Sequence, residues 1–353
     1  MSTPDPANPA RHRVASPARL VAFAVVLVIA GGAATSYLVG QVGRRSAAAT
    51  AAAAAERSRP HLDPAAVLAV PHVVFRNTEP GPSAGKLAMV PLADPGGPRA
   101  FGQVGCERVY ATASAGFCLT ADRGVVTRYY GVILNSRMQP VRRFPTAGGP
   151  SRARVSVDGR YAAATGFVAG HSYAAASFST ATEIYQTDTG RGLGNLETFR
   201  IIKDGRPYTN VDMNFWGVTF AADDRTFYAT LATGGHTYLV RGDIGRRQVV
   251  TLRANAECPS LSPDGVHLVY KKRTGGPRMW RFQVLDLATE VETPLPEQRS
   301  VDDQAAWLDN SHVLYGVPGN GPGVAQPDIW ESPISGGVPH LFIRHAESPS
   351  VVR

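Results

Sequence analysis

At 353 residues the chain has ample length for a buried core, and a β-propeller can hold that many residues as one domain. Hydrophobic residues make up 44% and charged residues 18%, with 36 Gly and 27 Pro, which fits many short strands joined by tight turns better than long surface helices. The formal charge of +8 raises nucleic-acid binding, but the arginines are scattered, lack aromatic interleaving and belong to no recognisable reading helix, so that class is set aside.

Met1 to Arg19 is Pro- and Ala-rich and polar, the composition of a disordered tail. From Leu20 to Gly40 no residue is charged, and a bilayer is crossed by a helix of about 20 such residues, so 20–41 is expected to be a transmembrane signal anchor. Arg11, Arg13 and Arg19 precede the run, and Arg44 with Arg45 follows it; the comparison favours a cytoplasmic N-terminus and an exported body. Small residues in SAAATAAAAA offer cleavage sites, yet the apolar run is longer than a usual signal core, which favours an uncleaved anchor. Residues 42–69 read as an Ala/Pro-rich linker in which Pro60 and Pro64 stop any helix from running into the folded part at 70–353.

Export permits disulfides. Cys106 and Cys118 stand at the two ends of a predicted hairpin, CERVYATASAGFC, and are the expected pair, which leaves Cys258 odd; three independent buried thiols are the alternative. No C-x-x-C and no His pair at ligand spacing marks a metal site, and no motif assigns a cofactor.

One turn recurs through the folded part. The clearest copy is Leu261-Ser262-Pro263-Asp264-Gly265 before the apolar run Val266 to Tyr270. Others are Ser156-Val157-Asp158-Gly159 before Arg160-Tyr161, Ala221-Ala222-Asp223-Asp224 before Phe227-Tyr228, and Trp307-Leu308-Asp309-Asn310 before His312-Val313. Asp bonds its own turn backbone and the next residue tolerates positive φ, so adjacent antiparallel strands close tightly. The aspartates are spaced by about 65, 41 and 45 residues, the last two close to a four-stranded propeller blade and the first containing an insertion.

The two ends of this region complete each other. Ala346-Glu347-Ser348-Pro349-Ser350-Val351 resembles Ala256-Glu257-Cys258-Pro259-Ser260-Leu261, a first strand after which the chain stops. His72-Val73-Val74-Phe75-Arg76 resembles His267-Leu268-Val269-Tyr270-Lys271, a second strand with no first strand before it. The pattern predicts an all-β fold, a six-bladed β-propeller closed by the C-terminal strand, with the remaining blades near 101–148, 150–202, 212–253, 256–296 and 302–345.

The SPDG turn within PSLSPDGVHLVYKK resembles the repeat of TolB-like six-bladed propellers, and the resemblance covers roughly Val70 to Arg353. It implies an exported propeller of a kind that often binds proteins. Propellers of Tol systems usually carry an additional N-terminal α/β domain, where this chain has an apolar segment and a linker, so the resemblance is carried over to the fold and to no specific partner. Similar propellers also precede the hydrolase domain of prolyl oligopeptidase-type peptidases. Gly170-His171-Ser172-Tyr173-Ala174 fails the nucleophile turn G-x-S-x-G at its last position and reads as a polar loop. No Walker-type phosphate cradle occurs either.

These readings point to a membrane-tethered extracytoplasmic module that binds a protein or a ligand in the cell envelope. The alternatives are a propeller enzyme of lyase or glycosidase type with scattered channel residues, or a structural or sensory ectodomain. Long connections at Val168 to Thr180, Val317 to Asp328 and Lys203 to Asn214 are expected on one face, the better candidate for recognition. Near that face the inner strands start with acids, Glu257 and Glu347 at equivalent positions, Asp302 and Asp303 close to it and Asp212 a few residues outside. This acidic mouth is expected to attract an envelope protein or a small cationic ligand. The competing view is that the acids solvate strand starts or bond neighbouring blades.

Overall fold

The computed structural model describes residues 17–168, 179–275, 279–319 and 326–353, in two compact units, residues up to Ser58 and Arg59–Arg353. In the first unit a single helix runs Pro17–Arg57, continuing from the apolar run through the Ala-rich stretch, since alanine is the strongest helix former. Val21, Phe23, Val25 and Ile29 are exposed along it, a surface with no protein packed over it. The part from Val21 is long and apolar enough to cross a membrane. The expected tail lies mostly outside the described residues. The expected linker divides: its first part continues the helix, and its last part belongs to the second unit. There a one-turn helix, Pro64–Leu68, starts with Asp63 Oδ1 accepting from Ala65 N at 3.1 Å, and places Val67 in a hydrophobic core.

The second unit is a six-bladed β-propeller. Blade 1 pairs Ala346–Val352 with His72–Asn77, then Lys86–Pro91 and Ala100–Gly105. Blade 2 spans Arg108–Ala111 to Pro140–Pro145, and blade 3 Gly149–Val155 to Gly192–Asn195. Blade 4 runs from Asn214–Phe220 to Gln248–Ala254, blade 5 from Glu257–Leu261 to Glu292–Pro294, and blade 6 from Ala306–Trp307 to His340–Ile343. The ring closes as the sequence pattern predicts, with Val73 opposite Val351 and Arg76 opposite Glu347 in an antiparallel ladder. Six hydrophobic clusters lie one between each pair of consecutive blades. The cluster holding Phe75 and Ile329 joins blade 1 to blade 6, so burial closes the ring as well as hydrogen bonding.

Two boundaries differ from the sequence reading. Ala100–Gly105 is the outer strand of blade 1, so blade 2 starts at Arg108 and not near 101. Arg200–Lys203 leaves blade 3 and pairs in parallel with Gln248–Ala254 at the outer edge of blade 4, where Arg206–Tyr208 adds a sixth strand. The Lys203 to Asn214 connection therefore begins with a hairpin that covers a sheet edge. Of the other two long connections, residues 169–178, including His171 and Ser172, and 320–325 lie outside the described residues.

The recurrent turn has the expected chemistry. In blade 5, Ser262 Oγ donates to Asp264 Oδ1 at 2.6 Å, Val266 N donates to the same carboxylate at 3.1 Å, and Gly265 has φ +73°. Ser156, Asp158 and Arg160 N repeat this in blade 3 at 2.7 and 2.9 Å. In blade 4 Asp224 takes the glycine position at φ +52°, beside Asp223, which accepts from Thr226 N at 2.7 Å.

Candidate functional site

Each inner strand begins at one side of the ring and ends at the other. At the starting side, a bulge re-aims the side chains. Cys258 and Ser348 have φ of +51° and +54°, and both ladders change register there, so Glu257 and Glu347, each just before the left-handed residue, occupy the same place in blades 5 and 1. In blade 4 the left-handed residue is Gly217, φ +67°, where an added Cβ would lie 2.7 Å from Cys258 Cα; Trp216 takes the glutamate's place. Cross-strand from each glutamate stands a cation, Lys271 opposite Glu257 and Arg76 opposite Glu347.

The charges meet in pairs. Glu347 accepts from Arg76 Nη1 at 2.6 Å and from Arg108 Nη1 at 3.0 Å, bridging blades 1 and 2. Arg108 Nε in turn donates to Ser151 O of blade 3 at 2.9 Å. Glu107 faces Arg76 at 3.7 Å and accepts from Arg123 Nη1 at 2.6 Å. Glu257 is buried and accepts from Arg273 Nε at 3.1 Å. Burial pushes its carboxyl above the usual range, against the opposing pull of Lys271 and Arg273. Lys271 Nζ bonds Asp302, and both Lys271 and Arg273 lie over the Trp280 ring, 4.5 and 4.6 Å from its centroid. Arg152 Nη2 of blade 3 reaches across the ring to Asp302 Oδ1 at 3.6 Å. Partial desolvation inside the ring would raise the largely exposed Asp302 carboxyl, but Lys271, Arg152 and Arg108 together hold it below its ordinary value.

Four of the five acids expected at the mouth are thus in or beside the channel, and a cation balances three of them. Asp303 Oδ2 accepts from Gly316 N at 2.8 Å, a bond that anchors blade 6. Asp212 is elsewhere engaged: its carboxylate accepts from Thr233 Oγ1 at 2.6 Å and Gly234 N at 2.7 Å, tying the blade 4 entry to a hairpin turn. Polar bonds also tie blade 6 and its entry to blades 4 and 5. Gln304 Nε2 donates to Val218 O and Pro259 O at 3.1 and 2.8 Å, and Trp307 Nε1 to Ser260 O at 2.9 Å.

The sequence reading missed the cations, Arg76, Arg108, Arg152, Lys271 and Arg273. A signal exists for Arg152: with Arg154 it alternates with Ala153 and Val155, the pattern of an inner strand turning arginines to the channel. The disulfide is formed between Cys106 and Cys118, with Cα atoms 5.5 Å apart, and it ties the junction of blades 1 and 2 to the second strand of blade 2. Cys258 is a buried free thiol. Among the described residues no group of three or more His, Cys, Asp or Glu is arranged to hold a metal ion.

No protein-family profile matches the chain, and no curated protein matches it in sequence. Solved structures do match in fold. TolB from Acinetobacter baumannii superposes with a TM-score of 0.51 at 16% identity, over 80% of this chain and 67% of that one. A chain of the nidogen/laminin complex gives a TM-score of 0.52 at 10% identity, over 80% of this chain and 98% of its own. At these identities the likeness is one of fold, and it agrees with the turn motif and the ring closure: the chain carries a six-bladed β-propeller, a fold it shares with TolB, preceded by a long apolar helix.

Proposed function

We propose that this chain is a binding module of the cell envelope, held at the membrane by its N-terminal helix with the propeller outside the cytoplasm, and that it takes a protein partner at the charged mouth. The observation that carries this reading is the convergence on one opening of charged side chains from blades 1, 2, 3 and 5 and from the entry to blade 6, each oriented by a counter-charge. Preorganised charges of both signs favour recognition of a complementary polar surface, because the partner does not have to order them. The matched nidogen/laminin structure is itself a complex of proteins. The disulfide suits an oxidising compartment.

A small cationic ligand is the second reading, favoured by Asp302, whose side chain stays 66% exposed at the mouth although Lys271 bonds it. Affinity capture with the full-length chain from detergent-solubilised envelope tests the first reading. Asp302→Lys reverses the most exposed acid and should abolish capture of a partner that the wild type retains, and capture should weaken with added salt. Identical capture by both forms would place recognition elsewhere. Calorimetric titration with spermidine tests the second, with heat expected from the wild type and none from Asp302→Lys. Protease added to intact spheroplasts should digest the propeller; protection of the propeller with loss of the N-terminal tail reverses the orientation.

A further inference from the structure

The inner strands end on the side of the ring opposite the charged mouth, roughly 13 Å further along each strand, and there they and the recurrent turns that follow them enclose a second opening. A cavity of about 410 Å³ is lined from all six blades, by Ala111, Val155, Phe220, Leu261, Trp307 and Val351 among others. That volume suits a small organic molecule. Its walls mix apolar and aromatic side chains, Tyr110 and Tyr228 among them, with the polar Thr112, Thr219 and Ser262, and exposed Ala113, Val157 and Ala222 form part of its rim.

One charged wall residue is buried without a counter-charge. Arg154 is 7% exposed and lines it, and among the described residues no carboxylate lies within ion-pair distance of its guanidinium. Its hydrogen bonds go to the carbonyls of Ala153 at 3.4 Å and Ala305 at 2.6 Å, while the buried Nε has no partner. The guanidinium lies over the Tyr110 ring, 4.2 Å from its centroid, a face that stabilises a cation without neutralising it. Burial pushes Arg154 below its ordinary pKa, with Tyr110 and Asp303 opposing, the direction expected of a cation lacking a close anion. The acid in the lining, Asp264, is occupied within its own turn by Ser262 Oγ and Val266 N. Exposed Arg353 adds a second cation to the lining, donating through Nη2 to Leu308 O at 2.7 Å.

A buried cation with unused donors is expensive unless an anion completes it. Guanidinium and carboxylate match in geometry and bond strongly where water is excluded. We propose that this cavity binds a small organic carboxylate with an apolar body, its carboxylate on Arg154 and its body against Trp307, Phe220 and Leu261. The site lies at the opposite end of the inner strands from the charged mouth.

Calorimetric titration of the full-length chain in lipid nanodiscs with 4-phenylbutyrate, octanoate and indole-3-acetate tests this. At least one should bind, and its matching alcohol should bind at least about tenfold more weakly, the loss of a charge-assisted hydrogen bond. Arg154→Gln should remove the preference for the acid. Should that variant fail to fold, Ala222→Trp decides the matter: it narrows the opening from an exposed rim position and should weaken the carboxylate by a similar factor. The proposal is overturned if none of the three binds at millimolar concentration, if acid and alcohol bind alike, or if both variants bind the acid as the wild type does. Asp302→Lys at the mouth should leave this binding unchanged, so failure here and failure of the envelope-partner reading are told apart.

Discussion

Glu297 offers a sharp test of how the blades are held together. Its side chain is 3% exposed and receives four hydrogen bonds, from Arg299 N at 2.7 Å, Arg299 Nε at 2.8 Å, Arg299 Nη2 at 2.5 Å and Tyr315 Oη at 2.7 Å. Arg299 in turn lies over the Trp330 ring of blade 6 at 3.8 Å. Glu297→Ala leaves the Tyr315 hydroxyl buried without its acceptor and Arg299 without its carboxylate. Removing one partner of a buried pair costs about 3–5 kcal/mol; Arg299 is 34% exposed and can turn to water, which brings the expected loss to about 2–4 kcal/mol. For a unit of roughly 300 residues the unfolding entropy at the midpoint is about 0.6 kcal/mol per kelvin, so the melting temperature should fall by about 3–6 °C. The pH dependence gives a second reading of the same group. Burial raises the Glu297 carboxyl, but Arg299 and Tyr315 outweigh it and hold its folded value below the ordinary one. A depressed folded value contributes stability above the unfolded pKa of about 4.3, and that contribution disappears as pH falls through the folded value. Differential scanning calorimetry at pH 7 and below pH 4 measures both effects. A variant that melts with the wild type at pH 7, or a gap that widens in acid, would refute the assignment of Glu297 as a clamp between blades 5 and 6.

Deletion of Ser348–Arg353 removes most of the strand that pairs with His72–Asn77 and uncovers the cluster between blades 1 and 6, so the product should aggregate or lose its cooperative melt; an unchanged melt refutes ring closure by this strand. Replacing Cys106 and Cys118 by Ser opens a short loop and should cost about 3 kcal/mol, read as a drop of about 5 °C in melting, with non-reduced peptide mapping of the parent identifying the bond. Glu257 has its folded pKa raised, so its stability contribution is fully present below the unfolded value and is lost as pH rises through the folded value. Accordingly Glu257→Gln should leave stability at pH 7 unchanged or raise it, where Glu297→Gln lowers it, and its difference from the wild type should vanish below about pH 4; a clear loss of stability in Glu257→Gln at pH 7 means that the Arg273 pair outweighs desolvation.

The fold was legible in the sequence where local chemistry repeats. Asp264 and Gly265 close a turn with atoms within a few residues, and the same turn near Asp158, Asp223 and Asp309 sets the period of the blades. Ring closure was readable because AESPSV and AECPSL carry the same bulge signal, a glutamate followed by a residue driven to positive φ. The outer hairpin at Arg200–Tyr208 escaped notice because its pairing with Gln248–Ala254 joins segments more than forty residues apart and parallel, with no turn to announce it. The mouth was half legible: its acids stand at recognisable strand starts, but their partners do not.

What the sequence determined by itself is the blade unit, the count of blades and the strand that shuts the ring, since these follow from turn geometry and alternation. Tertiary structure decided the electrostatics. Blades 3 and 6 face each other across the axis, so Arg152 meets Asp302 and Arg154 meets the Ala305 carbonyl over a separation of about 150 residues. Only the closed ring fixes that distance, and it decides which charges are neutralised at one end of the channel and which cation is left facing the cavity at the other.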